Sequence, residues 1–208
     1  MENSISPLWT VKGKGIERGS LGLLVGERGA GKSACLTNIG IEKLLNGHSV
    51  LHVSFEDMPD RVSDYYEVKI QEVVKTTGKT VDKGKVESNR IIFSYLNQTF
   101  SVEKVRSSVE NLKKSGYTFD LILMDGLHSE DTALLQKIKD IATEYDLEIW
   151  VTYPMSKYLN LKNELRDVCD LILVLYGKKD EVYIVFEKGE DEGKRLELDP
   201  VTFFVKSS

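Results

Sequence analysis

Apolar residues along this chain gather into short runs, and the intervals between runs carry a helical spacing. Leu21-Gly22-Leu23-Leu24-Val25 is the first run and Ser49-Val50-Leu51-His52-Val53-Ser54-Phe55 the second. Ile91–Tyr95, Asp120–Asp125 and Glu148–Tyr153 follow. Their residues are apolar at consecutive rather than alternate positions, as in parallel strands covered on both faces. Between them the spacing predicts helices over Lys32–Asn46, Asp60 to about Val74, about Val102 to Lys114 and roughly Asp131 to Tyr145. Asn46-Gly47 and Ser115-Gly116 supply stop signals. Thr76–Asn89 carries Gly78, Gly84, Lys79, Lys83 and Lys85 with no apolar period, and is expected to be a mobile loop. After Pro154 comes a polar, Lys/Asn-rich stretch that reads as helix-like. Leu171–Tyr176, Val182–Glu187, Arg195–Leu198 and Phe203–Val205 are short and separated by Gly, Lys and Asp, the pattern of β-hairpins. Strand–helix alternation over most of the chain predicts a three-layer α/β fold with a mainly parallel central sheet finished by C-terminal β-hairpins.

Composition narrows the class without identifying it. A chain of 208 residues, 41% hydrophobic and 29% charged, is expected to form one domain with a substantial core. Its net charge of −5 argues against a broad electrostatic footprint for DNA or RNA, leaving only a local basic patch as a route to nucleic acid. No apolar run approaches the ~20 residues that span a bilayer. Met1-Glu2-Asn3-Ser4 is not the basic start of a secretory signal, so a cytoplasmic location is expected. Cys35 and Cys169 lie far apart, and Cys35 reads as a small buried thiol rather than half of a disulfide.

The chemistry concentrates at Gly26-Glu27-Arg28-Gly29-Ala30-Gly31-Lys32-Ser33, which follows the first strand and opens the first helix. This is G-x-x-x-x-G-K-[ST] between strand and helix, where the motif has a mechanism. Glycines allow successive backbone N–H groups to turn inward around a phosphate, and the helix N-terminus adds positive potential. Lys32 is placed for the β- and γ-phosphates and the Ser33 hydroxyl for Mg²⁺. A nucleoside triphosphate is therefore the expected ligand. No base-reading N-K-x-D motif is present, which favours ATP over GTP. In the lead-in segment, Trp9 either packs on the core or faces the base, with packing favoured by its size.

Two acids complete the constellation. Asp125 ends an apolar strand, the position from which such a fold holds Mg²⁺ together with the Ser of the loop. The next residue is Gly126, so no glutamate stands beside it to orient an attacking water. Glu56, at the carboxyl end of the second strand, meets that need, because all carboxyl ends of an open parallel sheet face one crevice. Asp57 is the reserve candidate. His128, soon after Asp125, is either a phosphate sensor or a solvated loop residue, and the lysines of Lys75–Arg90 lack the aromatics that stack on single strands. His48 and His52 have no partners at zinc-ligand spacing.

The loop Gly26–Ser33, the strand ending in Ser54-Phe55-Glu56-Asp57 and the strand Leu121–Asp125 together resemble the RecA/KaiC/DnaB-type P-loop ATPases. The similarity runs from about Gly15 to Val205, and Asp167–Leu173 is similar to the family's Ala-Asp strand. The resemblance implies a catalytic glutamate after the second strand, hence Glu56, and hexamer-like rings in some members. Two positions depart from it. Thr152-Tyr153-Pro154 stands where members carry a polar residue such as Gln. Phe186-Glu187-Lys188-Gly189-Glu190 stands where hexameric members present a Lys and an Arg to a neighbour's γ-phosphate. Lys188 matches the Lys, and Glu190 replaces the Arg. The implied activity is a slow, regulatory Mg-ATPase. The alternatives are a nucleotide-sensing module with little turnover, a DNA/RNA motor of helicase type, and a small-molecule kinase, which lacks its arginine-rich lid here.

Overall fold

A computed structural model of the chain describes residues 16–96, 100–127, 131–178 and 181–206. Trp9 and His128 lie outside the described residues. In chain order the elements are β1 (Leu21–Gly26), α1 (Lys32–Leu45), β2 (Val50–Ser54), α2 (Pro59–Thr77), α3 (Lys83–Ser88), β3 (Arg90–Ser94), α4 (Val102–Lys114) and β4 (Leu121–Asp125). They continue with α5 (Thr132–Tyr145), β5 (Glu148–Pro154), α6 (Met155–Asn160), α7 (Lys162–Val168), β6 (Leu171–Lys178), β7 (Glu181–Lys188) and β8 (Arg195–Leu198). The expected α/β fold with its C-terminal hairpins is what forms.

The eight strands make one sheet in the order β3-β2-β4-β5-β1-β6-β7-β8. The first six in that list run parallel, and β7 and β8 are antiparallel additions at one edge. Strand period two divides the core into two layers. Ile122 and Met124 of β4 and Ile149, Val151 and Tyr153 of β5 pack with α4 to α7. Leu121 and Leu123 of β4 and Trp150 of β5 pack with α1, α2 and α3 on the other side. On that second side Gly22 leaves room for the indole, since a Cβ there would come within 2.6 Å of Trp150 Cε3. Both cysteines are free and buried.

Two expectations change. The Thr76–Asn89 stretch is not all loop, because it contains α3. Asp82 caps that helix, its carboxylate accepting from Lys85 N–H at 3.1 Å, and Val86 is buried. One apolar anchor and one cap suffice for a single turn and a half, too little to produce a period. Phe203–Val205 forms no strand: Val205 makes an isolated bridge to Leu198, and Phe203 sits at φ 59°, outside any strand conformation.

Beneath β2, His52 is buried with Nδ1 3.0 Å from the Tyr66 hydroxyl. Burial, helped by the charge of Arg90, pushes its pKa down to about 3. The folded chain thus keeps His52 neutral where the unfolded chain protonates it. Stability falls as pH drops below the unfolded value near 6.5 and goes on falling toward the folded one. Between pH 6.5 and pH 5 this group alone removes about 2 kcal/mol. Urea midpoints at pH 7 and pH 5 should therefore separate more for the native chain than for His52→Gln, and equal separations would refute the assignment.

Candidate functional site

Parallel pairing places the loop and both acids on one edge. Gly26, the end of β1, pairs with Pro154, and Ser54 of β2 pairs with Asp125 of β4. Because β5 lies between β1 and β4, the loop and Asp125 flank the carboxyl end of β5. Arg28, Gly29, Gly31, Lys32, Ser33, Glu56, Asp125, Gly126, Leu127, Thr152, Pro154 and Lys157 line one cavity of ≈ 800 Å³ there. Of the sequence-predicted residues, Lys32, Ser33, Glu56 and Asp125 are in that lining with Arg28, Gly29 and Gly31, whereas Gly26, Glu27, Ala30 and the reserve candidate Asp57 are not.

The loop has the conformation its glycines were expected to allow. Gly29 and Gly31 have φ of 77° and 96°, and Gly31 is the N-cap of α1 with no side-chain cap. The first N–H groups of α1 are thus left to a ligand. The Lys32 ammonium donates to Gly26 O at 3.0 Å and Glu27 O at 2.8 Å. Burial lowers its pKa, while the charges of Asp125, Glu56 and Glu27 oppose the shift. From outside, the C-terminal segment buttresses the loop. A Cβ on Gly31 would come within 2.2 Å of the Phe203 ring, and Thr202 O accepts from Asn38 Nδ2 at 3.0 Å and Lys69 Nζ at 2.9 Å. Nothing in the sequence flagged this contact, which depends on a non-glycine residue in the left-handed region.

Asp125 is 9% exposed, and burial raises its pKa. Hydrogen bonds from Ser33 and Thr152 and the charge of Lys32 work against that shift, whereas Glu56 adds to it. Thr152 Oγ1 donates to Asp125 Oδ1 at 2.9 Å and accepts from Gly126 N–H at 2.7 Å. Within the departing stretch Thr152-Tyr153-Pro154, the Tyr153 ring is buried on the α4–α7 side of the sheet. Strand alternation turns Thr152, its neighbour, toward the site. Parity was the available signal, since residues level with Asp125 on an adjacent parallel strand share its face.

Glu56 sits against Gly126. At φ 81°, a Cβ on Gly126 would lie 2.6 Å from Glu56 Cγ and 3.0 Å from Cδ. The glycine that first looked like a missing glutamate is what admits Glu56. Asp57 is committed elsewhere: its carboxylate accepts from the Tyr65 hydroxyl at 3.0 Å and pairs with Arg61 Nε at 3.2 Å.

The donor set suits Mg²⁺. Ser33 and Asp125 are hard oxygen donors that line the same cavity. Among the described residues no group of three or more His, Cys, Asp or Glu could hold a metal by itself, so phosphate and water would complete the shell. No described helix is long and apolar enough to cross a membrane.

No protein-family model matches the sequence, and no curated protein matches it. Solved structures do match. The chain is similar to the ATPase domain of G40P with TM-score 0.70 and 15% identity, over 92% of this chain and 86% of that one. It is similar to the RadB recombinase with TM-score 0.63 and 21% identity, over 94% of each. The chain has the RecA-like P-loop ATPase fold.

Within this RecA-like fold, Lys188 and Glu190 lie far from the chain's own phosphate loop. Lys188 pairs with Ile172 near the amino end of β6, and β6 runs parallel to β1, so the pair sits at the opposite edge of the sheet. Lys188 Nζ donates to Arg166 O.

Two substitutions test this geometry. Gly126→Ala should lower turnover at least about tenfold while the protein still folds, because the methyl displaces Glu56 rather than the core. Native-like turnover would show that Glu56 does not pack there. Thr152→Val should raise the Mg²⁺ concentration needed for nucleotide binding several-fold, more at pH 6 than at pH 8, because Asp125 loses a donor that favours its ionised form. A Mg²⁺ titration followed by a fluorescent ATP analogue reads this out, and an unchanged midpoint would refute it.

Proposed function

We propose that this chain binds Mg-ATP and hydrolyses it slowly, as a RecA-like ATPase working as a regulatory switch. The observation that carries the proposal is the convergence of Lys32, Ser33, Glu56 and Asp125 on one cavity at the carboxyl edge of the sheet. The backbone N–H groups of Gly29 and of residues 31 to 33 take the β-phosphate, and the Lys32 ammonium neutralises charge that develops on the β- and γ-oxygens. Ser33 and Asp125 would hold Mg²⁺, which when bound screens the phosphates from each other. Glu56 accepts a hydrogen bond from the attacking water and orients it in line with the bond that breaks.

A low rate is supported by the acid Glu190, which stands where the resemblance would put an arginine. Slow turnover suits a protein whose ATP-bound state is the signal, and it keeps the nucleotide-sensing module as the nearest rival. A ring of several copies is compatible with this reading but is not required by it.

Phosphate release and equilibrium ATP binding decide between these. Glu56→Gln should keep ATP affinity within about threefold and lower phosphate release by about 10²-fold or more. Lys32→Ala should lose both binding and release. Equal release by the native chain and Glu56→Gln would leave only the sensing module. Light scattering with and without Mg-ATP reports any nucleotide-dependent assembly.

A further inference from the structure

Slow or fast, hydrolysis needs positive charge on the γ-phosphoryl side of the cavity, opposite the loop that holds the β-phosphate. The residue that resemblance would supply from a neighbour is compromised here: Glu190 is acidic, and Lys188 is engaged by Arg166 O within the same chain. The cavity itself holds another cation. Lys157 lines it together with Lys32, Glu56 and Asp125.

The placement of Lys157 follows from topology. β5 separates the strand that carries the phosphate loop from the strand that carries Asp125, and Pro154 at its end is level with Gly26. The chain enters α6 directly from Pro154, so α6 rises between loop and metal-binding acid. Met155 and Tyr158 are buried in the α4–α7 layer and fix the helix on one side. Lys157, half-buried, is left on the side toward the cavity.

We propose that Lys157 is a catalytic cation supplied in cis, which neutralises the transferring phosphoryl group in place of a neighbour's residue. The inference rests on the ATPase reading above. In the step it serves, the water oxygen bonds to the γ-phosphorus and the bond from that phosphorus to the β–γ bridging oxygen breaks. The electron pair stays on the terminal oxygen of ADP, and the water proton passes to Glu56 and then to the released phosphate or solvent. Lys157 forms and breaks no bond. Its ammonium donates to the γ-oxygens as their charge redistributes, so it acts on the rate more than on ground-state affinity.

Single-turnover hydrolysis with protein in excess, ATP binding by calorimetry and thermal melting should be measured for the native chain, Lys157→Ala, Lys157→Arg, Lys188→Ala and Glu56→Gln. The expected result is a loss of about 10²-fold or more in the single-turnover rate of Lys157→Ala with near-native ATP affinity and melting temperature. Lys157→Arg should recover part of the rate. Native specific activity should not change with protein concentration, and Lys188→Ala should behave as the native chain does. Native-like hydrolysis by Lys157→Ala overturns the proposal, as does a native rate that climbs with protein concentration and collapses in Lys188→Ala. If Glu56→Gln is impaired while Lys157→Ala is not, the ATPase reading survives and only the cis cation fails. A native chain that binds but does not hydrolyse ATP overturns both.

Discussion

A carboxylate held inside the protein is the constraint around which this site is built. Asp125 ends β4 nearly out of reach of water, and an ion there is stable only if hydrogen bonds and opposite charge replace its hydration. Thr152 does so from the fifth strand, and Lys32 and Ser33 do so from the first turn of α1, where the loop ends. Satisfying one buried charge therefore draws together the parts that a bound Mg-nucleotide would also need. Burial pushes Asp125 toward its neutral form and Lys32 toward its own, while each charge steadies the other across the cavity.

The same economy runs through the surrounding glycines. Gly31 has no room for a side chain because Phe203 presses on it from the C-terminal segment, and Gly126 has none because Glu56 does. The first contact stiffens the loop from behind. The second lets an acid from the end of β2 reach across the mouth of β4. Any side chain at position 126 would have to displace the Glu56 carboxylate from where it now lies.

Charge is distributed with the same economy. The chain is acidic overall, yet three cations, Arg28, Lys32 and Lys157, face the cavity, along with Glu56 and Asp125. A polyanion bound there meets concentrated positive potential in a partly desolvated setting, where each charge counts for more than at the surface. Lys188 is not among these cations: it lies at the opposite end of the sheet, paired with Ile172, where its ammonium donates to Arg166 O.

Much of this was legible in the sequence. Apolar runs located the strands, and Ser115-Gly116 marked the end of the helix from about Val102 to Lys114, whose start the structure fixes with a Ser101 cap. The phosphate loop was legible for a local reason: glycine spacing encodes backbone conformations that need no distant partner. Convergence of Glu56 with Asp125 followed from one rule about parallel sheets. What the sequence left undecided depended on contacts between residues far apart in the chain. Turning Thr152 rather than Tyr153 toward Asp125 required the parity of β5 against β4. Seating Phe203 on Gly31 required a segment that leaves the last strand in a conformation its residue type disfavours. Placing Lys157 beside the loop required knowing that β5 lies between β1 and β4. Local patterns specify what each segment is, through dihedral preference and one-sided burial. Strand order and register, fixed only when the whole sheet closes its hydrogen bonds and buries both faces, decide which side chains meet.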